Sequence, residues 1–159
     1  MTVTWVKGWV GATDGESSMA HWKAQTLSGN RHFDAGEHAR ALDYYQQALW
    51  LARQQFACWP DADEAVAALV VAHHNLADLL VAMTLPDRAA DILCHVHDCL
   101  LATSQSPASP DPLRAAALRH SRGTRTELLA FVQKHGHHDG ILRCLGQCQC
   151  QTEPAHRLH

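Results

Sequence analysis

Apolar residues recur at i, i+3 and i+4 along most of the chain and never alternate with polar ones for long, so the sequence asks for helices and offers no convincing strand. The expected fold class is all-α. A first helix is expected over about Ala20 to Asp34, with Ser17 or Ser18 as N-cap and Ala35-Gly36 as the turn that ends it. A second runs from about Glu37 to Phe56, with Ala41, Leu42, Tyr45, Ala48, Leu49 and Ala52 on one face, and Trp59-Pro60 closes it. Asp61 with Glu64 three residues on reads as a capping-box variant opening a third helix that continues to about Met83. Pro86 suits the first turn of a fourth, reaching about Ala102. Three prolines among small polar residues between Ser104 and Pro112 read as a loose linker, and Asp111-Pro112 starts a fifth helix that Gly136 stops near His135.

Sliding the second pair of helices by 48 residues onto the first sets Gly29 on Ala77, Ala41 on Ala89, Tyr45 on Leu93 and Ala48 on Val96. Small residues meet small and large apolar residues meet large, which is what two closely approaching antiparallel helices need at their contact. The stretch Gly29-Asn30-Arg31-His32-Phe33-Asp34-Ala35-Gly36, continuing to Ala41-Leu42-Asp43-Tyr44-Tyr45-Gln46-Gln47-Ala48-Leu49, resembles a tetratricopeptide repeat. A more degenerate copy is carried by Asn75-Leu76-Ala77 and Arg88-Ala89. The resemblance covers about residues 22 to 135 and implies about five helices in antiparallel hairpins stacked as a short array. It also departs from the family: no proline follows Leu51, and the 48-residue spacing exceeds the roughly 34 of a standard repeat. The Trp-Lys opening, the His-Asn-Leu-Ala helix and a His/Cys-bearing tail further resemble a group of small uncharacterised proteobacterial proteins of this architecture. The expected organisation is a flexible extension over 1–18, a helical domain over 19–136 and a flexible Cys/His-rich tail over 137–159, with Met19 as an alternative start.

Length and charge limit the functions available. At 159 residues the chain is long enough for one well-buried core. Its 13 Lys+Arg against 16 Asp+Glu give no broad positive surface for nucleic acid or an anionic membrane. No uninterrupted apolar run approaches a membrane span, and the N-terminus has no basic segment leading into an apolar one. The expectation is a cytoplasmic protein with its six cysteines reduced. There is no Gly-rich phosphate loop, no G-x-S-x-G elbow and no His-Glu-x-x-His helix, so the expected activity is not enzymatic.

The resemblance implies recognition of a peptide or partner helix in a groove lined by the first helix of each pair. Carried over residue by residue, that face is Lys23, Thr26, Asn30, Phe33 and Asp34, then Val71, His74, Asn75, Asp78 and Val81. Asn30 and Asn75 resemble asparagines that hold a peptide's terminal carboxylate in some members, although Thr26 stands where those have a lysine. The plainer alternative is that both amides bond neighbouring backbone or water. A homo-oligomer built on the exposed side of the fifth helix is a further expectation.

Thirteen histidines and six cysteines leave room for metal chemistry. Cys144, Cys148, Cys150, His156 and His159 are soft or borderline ligands in a segment with few apolar anchors, suited to zinc or copper if they converge. Their spacing is not that of a standard finger; an inert terminus and a thiol redox role remain the alternatives. On the fourth helix, i, i+4 spacing pairs His95 with Cys99 and Cys94 with Asp98, and His73 and His74 lie on the helix before. Ordinary packing explains that cluster equally well.

Overall fold

The computed structural model describes residues 15–149, with side chains from 18 to 146. Among them are six α-helices and no strand: α1 (Gly15–Asp34), α2 (His38–Gln55), α3 (Ala62–Ala82), α4 (Pro86–Gln105), α5 (Asp111–His135) and α6 (Asp139–Gln149). Asp61 caps α3, its carboxylate accepting the Glu64 N–H at 3.0 Å, and Pro86 opens α4. Gly136 ends α5 with φ 91°, a conformation that glycine tolerates without strain. Helix α4 outlasts its expected end because the hydroxyls of Thr103 and Ser104 bond back to the Cys99 and Leu101 carbonyls, so these residues stay helical.

The residues matched by the 48-residue offset are all buried: Gly29 and Ala77, Ala41 and Ala89, Tyr45 and Leu93, Ala48 and Val96. The correspondence extends into the turns. Gly36 N–H donates to the Phe33 carbonyl and Glu37 N–H to the His32 carbonyl; 48 residues on, Thr84 N–H donates to Val81 and Leu85 N–H to Leu80. Both turns are the paired 5→2 and 6→1 closure of a Schellman motif, which requires a left-handed residue. Gly36 supplies it at φ 75°, whereas Thr84 holds φ 60° with a β-branched side chain. Thr84→Gly is therefore expected to raise stability by about 1 kcal/mol, read as a higher denaturant midpoint at unchanged slope. A neutral or destabilising result would mean that the Thr84 hydroxyl, bonded to the Met83 carbonyl, offsets the strain.

Helix α3 is the hub, packed on α2, α4 and α5. Val66, Leu69, Leu76, Leu79 and Leu80 are all buried there. By length and composition α3 is apolar enough to cross a membrane, with mean hydropathy 1.6 over an 18-residue window, contrary to the expectation of no such run. The polar stretch His73-His74-Asn75 and Asp78 break any uninterrupted run, yet the average stays high. In this fold 56% of that window is buried against neighbouring helices, as a central helix requires.

A sixth helix stands where the sequence suggests a loose tail. Ile141, Cys144 and Leu145 recur at i, i+3 and i+4 and are buried, and α6 packs on α4 and α5. His138 starts it: its Nδ1 accepts the Ile141 N–H at 3.4 Å, leaving Nε2 to point at Asp87 of α4, 3.9 Å away. At the other end of the chain, α1 begins at Gly15, inside the expected extension. The remaining residues of both expected terminal segments lie outside the described region.

Candidate functional site

The face taken from α1 divides on inspection. Thr26 is not available to a ligand: it is 1% exposed, and its hydroxyl donates to the Trp22 carbonyl at 2.9 Å. A β-branched hydroxyl residue inside a helix satisfies itself this way when no water reaches it. Asn30 is engaged as well, its Oδ1 accepting the Tyr45 hydroxyl at 2.7 Å, a side-chain partner in place of the backbone or water of the plainer alternative. Phe33 is partly buried against the core, its ring 6.2 Å from that of His38. Lys23 is half-buried and Asp34 exposed. Glu64 on α3 is pushed up by burial and by Asp61, with Lys23 pulling the other way.

On α3, Val71 and Val81 are half-buried against the core, as are His74 and Asn75, while Asp78 keeps solvent access. Burial holds the His74 imidazole below its ordinary value, with Glu127 of α5 opposing, and His74 Nε2 is buried without a hydrogen-bond partner. Asp78 retains exposed oxygens, but protein around it strips part of its hydration; that loss and then Glu127 push its carboxyl up, against the pull of Lys134. The Tyr45 phenol is pushed far up by burial, then by Asp34 and Asp78. Carboxylates from three helices are thus linked in series, Asp34 and Asp78 acting on Tyr45, and Glu127 on Asp78 and His74. Tyr45, Glu127 and Lys134 are absent from the sequence-derived face. Only the packing of α5 against α3 brings its charges beside Asp78 and His74. The other side of α5 exposes Leu118 and Leu129.

The metal candidates fare differently. Cys144 is 3% exposed, turned into α4, with its Sγ 3.2 Å from Asp98 Oδ1. Cys148, Cys150, His156 and His159 lie outside the residues whose side chains are described. On the neighbouring helices, His73 and His95 come together with ring centroids 5.7 Å apart. His73 Nδ1 donates to the Leu69 carbonyl at 2.7 Å, which leaves Nε2 as a lone-pair acceptor facing the Arg53 guanidinium at 3.5 Å. A cation at that nitrogen opposes a metal ion there. Among the described residues no three His, Cys, Asp or Glu side chains form a group able to hold a metal ion.

A family model described as a protein of unknown function matches residues 20–158, which takes in all of α2 to α6 and most of α1. No curated protein and no solved structure matches the chain.

Proposed function

The chain belongs to that family, DUF2753, whose description carries no activity to transfer, and we propose from its own residues that it is a non-enzymatic interaction module for a cationic peptide or partner helix. The occupant lies across α1, α3 and α5, and the activity is recognition, with no bond made. The observation that carries this reading is a series of carboxylates from three helices, Asp34 and Asp78 acting on Tyr45 and Glu127 on Asp78, with burial and then Glu127 raising the Asp78 carboxyl. A carboxylate raised in this way is relieved by a lysine or arginine brought beside it. Val71 and Val81 border the same surface and accept apolar anchors, while Lys23 and Asn75 orient the occupant. The identical turns of the two helix pairs and the packing of α3 on α5 support the stacked, tetratricopeptide-like arrangement that this reading presumes. The negative surface disfavours a terminal carboxylate as the recognised group.

The test uses the full chain and two amphipathic helical peptides with the same apolar residues, one carrying lysines and the other glutamates on its polar face. The lysine peptide is expected to bind, more weakly as salt rises, and to lose about tenfold in affinity to the Asp78→Asn, Glu127→Gln double variant. Equal binding of both peptides, binding of neither, or unchanged affinity in a folded double variant would overturn the reading.

A further inference from the structure

Cys94 on α4 and Cys144 on α6 are fifty residues apart in sequence and meet across the helix interface, both unpaired in a disulfide. Cys144 Sγ lies 4.0 Å from the Cys94 carbonyl oxygen and 3.2 Å from Asp98 Oδ1, one turn on along the same helix. Together with Asp98 and Arg143 they line an open depression of about 350 Å³, so a small polar reagent can reach them. Cys94 is the more accessible of the two, and Cys144 lies behind it at 3% exposure. We infer that Cys94 and Cys144 form a peroxide-oxidisable dithiol that closes into a disulfide and fastens α6 to α4, independently of any partner bound elsewhere.

The surroundings assign the roles. The hydrogen bond from Cys144 holds the Cys94 thiol below its ordinary value, against burial and the carboxylates of Asp98 and Asp91, with Arg143 helping. Cys144 is pushed strongly up by Cys94, burial and Asp98. Cys94, the more accessible of the two and the one whose thiolate Arg143 favours, is the attacking sulfur, and Cys144, buried behind it, the resolving one. Cys99, on the same helix, has its thiol pushed up by burial and suits neither role.

The Cys94 thiolate attacks one oxygen of hydrogen peroxide; the S–O bond forms, the O–O bond breaks, and the leaving hydroxide takes the proton Cys94 gave up, forming water. Cys94 is now a sulfenic acid. Cys144 passes its proton to Asp98 and attacks the Cys94 sulfur; the S–S bond forms, the S–OH bond breaks, and hydroxide leaves as a second water with the proton from Asp98. Two thiols and one peroxide give one disulfide and two waters, the two sulfurs supplying both electrons.

The full chain, reduced and freed of reductant, is treated with one equivalent of hydrogen peroxide, and its peptides are mapped by mass without reduction. The expected product is the peptide of Cys94 joined to that of Cys144, together with a raised melting midpoint that dithiothreitol reverses. Cys144→Ser is expected to leave Cys94 as a sulfenic acid trapped by dimedone. Asp98→Asn is expected to slow disulfide closure by about tenfold without slowing sulfenic acid formation, since removing this carboxylate only favours the Cys94 thiolate. The inference is overturned if Cys94 stays reduced, if it pairs with Cys148 or Cys150 instead, or if the purified chain carries zinc that Cys94→Ser removes. Mapping of the unaltered chain decides the matter even if a variant does not fold.

Discussion

Acidification from pH 6.5 to 4 is expected to strip this fold of about 3 kcal/mol through His73 alone. His73 is 1% exposed and neutral, and burial pulls its pKa from 6.5 to about 4, with Arg53, His95 and His74 adding repulsion and the Leu69 carbonyl opposing. The unfolded chain takes up a proton at this residue below pH 6.5, while the folded chain refuses it until about pH 4. Stability is thus undiminished above 6.5, falls across the interval and levels off below 4. His74 and His97 are displaced downward by burial too and act in the same direction. Asp78, whose carboxyl is raised, works the other way, since the folded chain gains its proton first as pH falls. Denaturant midpoints at pH 7.5 and 4.5 measure the net loss, and His73→Gln should remove most of the part assigned to His73. An unchanged pH difference in that variant would show that this imidazole is already charged inside the fold.

Gly29→Ala is expected to destabilise the fold by about 1 to 3 kcal/mol, although alanine is the better helix former. A Cβ at Gly29 would overlap the Tyr45 ring, 2.5 Å from Cδ1, and the ring cannot retreat freely while its hydroxyl is bonded to Asn30. The same exchange at Gly123 meets nothing within 4 Å, so there alanine should stabilise, by up to about 1 kcal/mol. The second helix pair shows what would compensate: its matching positions carry Ala77 and Leu93, both buried. Gly29→Ala combined with Tyr45→Leu should therefore recover part of the loss, and a loss equal to the sum of the singles would show that the two positions do not share one contact. Thermal or denaturant unfolding of the four chains decides it.

Local chemistry made most of the helices legible. Asp61, Pro86 and Gly136 act at the ends where their side chains or backbone freedom place them, and the 48-residue offset picked out residues that are buried in register. What failed, failed for physical reasons. Composition makes Cys144 a candidate ligand, yet its spacing with Ile141 and Leu145 makes it part of a buried apolar stripe, and a free thiol buries readily. Thr26 was assigned to a binding face because the resemblance puts it there, yet its hydroxyl is satisfied within its own helix. Tyr45 with Asn30, Glu127 beside Asp78, and Cys94 against Cys144 join residues far apart in the chain; no local pattern marks such pairs before the helices pack.

The unequal anchoring of α3 and α6 sets the order in which the backbone gives up its protection to solvent exchange. Amides in the middle of α3 are released only when α2, α4 and α5 all part from it, which is global unfolding. Those of α6 need only its separation from α4 and α5. Deuterium should therefore enter α6 through a partial opening that leaves α3 packed, making the last described helix a detachable clasp on α4 and α5.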